Sequence, residues 1–537
     1  MRHRGCGARA LLIATLTVVA WSAYAGVAGA QTPGLPVVPI PDLERSLVPQ
    51  FEGATASPNP VDGGPAPPRN PFMAPNPRNN IHDDPYMSDT YRLPGPLGDG
   101  AVPSSLNTPP RECGSITFDS AGRIVTVCVG LDRPVLALLD PHTLQTLAAM
   151  PLPLRNVSPG GNPFTDFSGG GYFYLDQHDR AVLPTTDRHV LVVSITNGPG
   201  FQVSADYDLG GRIPAGEGIV SVLPDWHGLL WFVTRQGLVG TIDRGSGTIR
   251  TMRLSGEGIS NSFAVDETGG VYIVSDRALY RFDANSNGGP AVSWRVAYPN
   301  SGIHKPGQSD AGSGTTPTLM GSNRVAITDN ADPMDVVVYR RAIKLRGHRQ
   351  KKRARSAGRR GRAKRKAKAR LVCSAPVFVK GAGSTDNSLI GTNRSLIAEN
   401  NYGYQISAGD LSGGSTVAGL TRIDVVKKKP KKGRKGRKRK GRAKFRCRTA
   451  WTSNERAPSV VPKLSLSNGL VYTYTRPLRS DGIDAWYLTT LDFRTGRTVH
   501  RRLAGTGFGF NNNYAPVTLG PDGTAYVGVL GGVVAFP

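Results

Sequence analysis

Cysteine is scarce, with five residues among 537, and none of them stands in a CxxC, CxxCH or zinc-ligand spacing. Thiol-redox, c-type haem and structural zinc sites of the usual kind are therefore excluded. Beyond the first thirty residues there is no apolar run of spanning length, so no later segment can cross a bilayer as a helix. Amphipathic helical periodicity is missing too; the one helix-like stretch, 351–369, has no apolar face. No GxSxG elbow, HExxH pair or phosphate-cradling loop occurs, and His142, His178 and His227 fall in turns. Paired carboxylates leave no local motif, so a carboxylate hydrolase or lyase is the enzyme class these absences do not touch.

The last absence is acidic charge from two stretches. Residues 344–370 and 427–448 hold 15 Lys and Arg each and no Asp or Glu. Setting them aside leaves 36 bases against 39 acids, so the net charge of +27 belongs to two inserts and not to the body.

What is present is turn chemistry. With 66 Gly, 42 Pro and 39% hydrophobic residues, the chain reads as an all-β protein. Residues 1–30 carry Arg2, Arg4 and Arg9, then the short apolar core Ala10–Ala20, then Ala28-Gly29-Ala30. This is the pattern of a cleaved signal peptide, with a retained N-terminal anchor as the alternative; it predicts a secreted or cell-envelope protein. Residues 31–110 hold 19 of the 42 prolines and predict an extended linker or stalk whose end, within 91–106, lends a strand to the body.

From residue 111 onward one hairpin recurs, an apolar strand, a tight Gly/Asn/Asp turn and a β-branched strand. Copies lie at 116–125, 175–183, 223–232, 265–273, 319–327, 389–397, 466–472 and 519–527. A second hairpin of the form apolar-Asp-turn-strand follows at Asp140, Asp243 and Asp492. Two hairpins per unit predict a single β-propeller of about eight four-stranded blades over 111–537, closed because closure leaves only short edges. Seven blades is the alternative if the hairpin at 175–183 is misread. The last unit, ending at Pro537, holds only three strands, so an N-terminal strand is expected to latch the ring.

Cleavage would leave four cysteines. Cys113 and Cys128 flank the turn Asp119–Gly122 symmetrically and are expected to bridge across a hairpin. Cys373 and Cys447 each follow one basic insert at similar depth in neighbouring units; they either pair or stand apart.

The Asp492 turn, with Thr495 and Gly496, resembles the Asp-x-x-Thr-Gly hairpins of propellers related to quinoprotein dehydrogenases and of bacterial repeat propellers. Leu147, Met252 and Val499 stand where the tryptophan-docking residues of quinoproteins would be, and adjacent cysteines are lacking. The resemblance implies the fold rather than pyrroloquinoline quinone chemistry.

Both inserts replace C–D turns, in the fifth and sixth units. Lys351, Lys352, Arg353, Arg359 and Arg360 in the first, with Lys427, Lys428, Lys431, Lys432, Arg437 and Lys438 in the second, form candidate polyanion-binding tips. They lack interleaved aromatics, so neither base stacking nor sequence-specific nucleic acid is implied. Anionic envelope polymers and lipid headgroups are the expected partners, with a non-functional loop expansion as the alternative. On the opposite face, the B–C and D–A loops carry Glu217, Glu257, Asp310, Asp329, Asn330, Asp332, Glu399, Asn400 and Asn401. These oxygens would suit Ca²⁺ or a small polyol, although Asp and Asn are also ordinary turn residues. Two functions follow: a binding or interaction scaffold, or a Ca²⁺-assisted or quinone-binding enzyme using that face.

Overall fold

The computed structural model describes residues 39–100, 103–107, 111–155, 169–345, 369–405, 413–428 and 444–537. Residues 1–38, where a signal peptide is expected, and most of both basic inserts lie outside the described residues.

Eight antiparallel sheets make an eight-bladed propeller. Blade 1 spans Glu112–Pro151, blade 2 Tyr174–Asp208, blade 3 Ile219–Arg253 and blade 4 Ala264–Ala297. Blade 5 spans Thr318–Pro376, blade 6 Ile390–Ser453, blade 7 Lys463–Thr506 and blade 8 Val517–Phe536. The hairpin at 175–183 is real, with Leu175 opposite Ala181, so the count is eight and not seven. Apolar side chains that alternate along each strand meet those of the next blade; Trp231, Phe232, Tyr272 and Tyr280 lie in one such shared core.

The turns explain themselves chemically. Asp119, Asp176, Asp225 and Asp266 each use Oδ1 to accept the backbone N–H groups two and four residues on. Asp225 and Asp266 spend Oδ2 on Trp231 Nε1 and the Tyr272 hydroxyl of the next strand, and Asp119 and Asp176 spend it on Arg123 and Arg180 at the end of the turn. An Asp at this position thus satisfies a buried tight turn that no apolar residue could. At the C–D turns Asp140 and Asp492 cap Thr143 and Thr495 in the same manner.

The latch is Ser104–Asn107, which pairs antiparallel with Gly532–Phe536 and completes blade 8. Cys113 and Cys128 sit directly opposite each other in blade 1 and are bonded; Cys373 and Cys447 are bonded as well, across blades 5 and 6.

The Pro-rich segment is extended, as its prolines require, but it is not a stalk. Phe51–Gly53 adds an outer strand to blade 7, and Thr90–Tyr91 adds an inner parallel one. Between them the chain crosses the A–B turns, where Asn70 Nδ2 donates to Pro224 O and Ala74 N to Leu175 O. Residues 79–91 then run round the inside of the channel. The carbonyls of Asn79, Pro85, Tyr86, Ser88 and Asp89 accept from Leu175, Val265, Leu319, Gly391 and Leu464, the inner strands of blades 2, 4, 5, 6 and 7. Proline lacks a donor but keeps its carbonyl, so such a segment can be read out by its acceptors alone.

Candidate functional site

The N-terminal segment runs inside the channel near the A–B turns. What remains is a cavity of about 110 Å³ toward the other end. Its walls come from the D–A connections all round the ring, among them Tyr172, Asn261, Ser309, Asp386, Val461, Asn513 and Tyr514, with Glu112 and Ser115 from blade 1. Its floor includes Ile81 and His82 of the threaded segment.

His82 is held from behind. Its Nδ1 lies 3.0 Å from Asp89 Oδ1, and Lys463 Nζ lies 2.6 Å from the same oxygen and 3.3 Å from Asp83 Oδ2. Lys463 Nζ also donates to the Ile81 carbonyl. Burial opposes ionisation of Asp89, yet the Lys463 ammonium and His82 hold its carboxyl below the usual range. Burial likewise opposes the Lys463 charge, and Asp83 and Asp89 outweigh it, so its pKa rises. An ionised Asp89 accepts the Nδ1–H of His82. Nε2 has no hydrogen-bond partner, although His82 is only 2% exposed. The imidazole stacks on Tyr172, ring centroids 6.1 Å apart, and the Tyr172 hydroxyl donates to Asn261 Oδ1.

Two carboxyls in the wall are disposed to hold protons near neutrality. Burial pushes Asp386 up to about 7, against hydrogen bonding to Ser309, whose N–H meets Oδ2 at 2.6 Å. Its Oδ1 is buried without a partner. Burial pushes Glu112 up to about 8, against the Asn513 N–H that Oε1 accepts at 2.8 Å. Two carboxyls facing a mostly apolar cavity can, once ionised, take up a ligand that donates hydrogen bonds.

The residues expected on this face are placed there but do not converge. Asp329 caps its own loop through Ala331 N and Asp335 N, and burial raises it to about 7. Asn330 donates to Asn300 and Ile303, while Asp332 accepts from Gly381 N. Glu399 is bound to Asn387 and Thr473, Asn400 to Ser384 and Tyr402, and Asn401 to Thr385 and Asp386. Glu217 pairs with Arg253 and Glu257 with Arg295. Asp310 is half-buried beside Asp386. Asp329, Asp332, Glu399, Glu217 and Glu257 are thus spent locally, and among the described residues no group of three His, Cys, Asp or Glu could hold a metal ion.

The axial groups His82, Asp89 and Lys463 were missed by sequence reasoning. The signal was there in part: Asn79-Asn80-Ile81-His82-Asp83-Asp84 is a dense polar run inside a proline-rich stretch, and Lys463 sits alone among apolar strand residues. On the fingered end, Lys427 and Lys428 are exposed and Lys428 N donates to Lys444 O, so the blade 6 hairpin continues to the start of the insert. The other tip residues, Lys351, Lys352, Arg353, Arg359, Arg360, Lys431, Lys432, Arg437 and Lys438, lie outside the described residues. No described helix is long and apolar enough to cross a membrane.

No protein-family profile matches the chain. An uncharacterised protein of Archaeoglobus fulgidus is 28% identical over 343 residues, which are 60% of this chain and 61% of that protein. The chain therefore spans about three fifths of the length of that relative. Among solved structures, BamB of Moraxella catarrhalis is similar at 13% identity and a TM-score of 0.33, covering 66% of this chain and 94% of that one. Sqt1 of Saccharomyces cerevisiae is similar at 10% identity and a TM-score of 0.37, covering 73% and 83%. Hsv2p of Kluyveromyces lactis is similar at 10% identity and a TM-score of 0.35, covering 64% and 86%. The eight-bladed fold rests on strand order and register, not on these likenesses.

Proposed function

We propose that the chain is an exported propeller that serves as a binding scaffold and attaches to polyanions through its two basic fingers. One observation carries this reading: the Cys373–Cys447 disulfide, Cα atoms 5.4 Å apart, joins the two strands that return from the fingers. Two stretches of 15 like charges repel wherever their roots come within a Debye length, roughly 10 Å at 0.1 M salt. A covalent staple at that place keeps both fingers on one spot despite the repulsion. The first root is anchored as well. Arg370 donates to the carbonyls of Arg340, Ala342 and Ile343 and lies over the Trp294 ring at 4.4 Å.

Paired fingers raise each other's effective concentration on a polymer, so their attraction is of the avid, salt-sensitive kind and reads no sequence. Two disulfides also favour an oxidising compartment, in keeping with the signal-like leader. Within propellers we place the chain near the quinoprotein-like group for its Asp-x-x-Thr-Gly turns, without that group's chemistry.

The test is retention on an immobilised polyphosphate or sulfated polysaccharide, for the full chain and for a chain with 346–368 and 429–443 replaced by short turns. We expect the full chain to be held at low salt and released at moderate salt, and the shortened chain to flow through. Equal retention of both would remove the polyanion reading.

A further inference from the structure

We propose that the axial cavity is a binding site for a small organic cation, a primary ammonium on a short apolar body, received by the unpartnered Asp386 Oδ1 in a lining that also carries Glu112 and His82. This goes beyond the scaffold reading and does not depend on the fingers. The geometry fixes the sign of the ligand. Asp89 occupies the Nδ1 side of His82, and the buried Nε2 is left without a partner. Asp386 Oδ1 is a buried acceptor without a donor, and burying such an atom unpaired is costly. Neither Asp386 nor Glu112 is ion-paired among the described residues. An anion would meet two carboxyls; an ammonium offers N–H donors that a carboxylate accepts.

The walls fix the rest. Val127, Val129, Leu131 and Val461 line the same space, which suits an alkyl body better than a sugar. Asp386, Glu112 and His82 do not gather closely enough to hold a metal ion. A cavity of about 110 Å³ admits a molecule of only a few non-hydrogen atoms. The charged neighbours are few. Arg235 and Asp310 act on Asp386 from opposite signs, Asp89 with Lys463 stands behind His82, and Arg155 completes the lining.

A bound cation must favour the ionised carboxyls. With Asp386 at about 7 and Glu112 at about 8 in the empty site, binding near pH 7 releases protons, and affinity rises severalfold between pH 6 and 8.

The experiment is calorimetric titration of the full chain with n-butylammonium and with 1-butanol, in two buffers of different ionisation enthalpy. We expect the ammonium to bind about tenfold more tightly than the alcohol and to release protons. Asp386→Asn and Glu112→Gln, nearly isosteric changes on different walls, are each expected to weaken the ammonium about tenfold and leave the alcohol unaffected. Equal affinity for alcohol and ammonium, no saturable binding of the ammonium up to about 100 mM, or binding without proton release would each overturn the proposal. The wild-type readouts stand even if a variant fails to fold.

Discussion

Blade 3 takes all four of its strands from residues 219–253, whereas residues 79–91 take their hydrogen bonds from five blades and form no sheet of their own. The blade is a local object. Its hairpins close over tight turns, and each turn is satisfied by an Asp in the same unit, as with Asp225. The threaded segment is the reverse, since nothing in it is stable until the ring surrounds it. It brings to the axis a set of buried polar groups, His82, Asp83, Asp84 and Asp89, which pair partly with one another and partly with Lys463 of the ring. Repetition builds a strong wall with an empty middle, and a single non-repeating segment fills the middle and supplies its chemistry.

The largest effect should come from removing that segment. A chain starting at residue 111 loses the latch strand, the inner and outer additions to blade 7 and every axial acceptor. We expect no cooperative unfolding transition and rapid limited proteolysis; a ring that melts like the full chain would mean that the blades close unaided. Next comes the axial ion cluster. Asp89→Ala leaves the buried Lys463 with Asp83 alone, and we expect a loss of about 3–5 kcal/mol in urea unfolding. Replacing Lys463 by Met in the same chain should recover part of that loss, because it is the unpaired charge that costs most.

Smaller, and located in the ring, is the staple between blades. Cys373→Ser with Cys447→Ser is expected to cost about 2–4 kcal/mol, read from the urea midpoint in the absence of reductant. Smallest is a pH effect at Asp329, which the ring buries in a B–C loop. Its folded pKa, about 7, lies above the unfolded value. Its stabilising contribution is therefore complete below the unfolded pKa of roughly 4 and disappears as pH rises through about 7. Asp329→Asn keeps the Oδ1 acceptor without the charge. It should match the wild type in acid and exceed it by on the order of 1–3 kcal/mol at pH 8, in thermal or urea unfolding.

The same contrast explains what could be read from the sequence. Eight hairpins were legible because a turn with Gly or Asp at fixed places is a local requirement, repeated eight times. Cys113 opposite Cys128 followed from the symmetry of one turn. The strand that latches blade 8 was legible only as a deficit, one strand too few before Pro537. The path of residues 39–100 was not legible, since proline fixes an extended backbone but says nothing of what accepts its carbonyls. Asp386, Asn261 and Asn513 of the D–A loops line the cavity. Its centre was not legible, because His82 reaches the axis from the one part of the chain that has no repeat to be aligned with. Asp329 and Glu399 looked like a cluster by position in their blades, and hydrogen bonds to their own surroundings keep each of them separate.

Amide hydrogen exchange of the native protein, resolved for residues 79–91, bears most directly on this account. Protection there close to that of the inner strands at Leu175, Leu319 and Leu464 is the expected result. Exchange at the rate of a free peptide, with those strands still protected, would contradict it and return the segment to the role of a stalk.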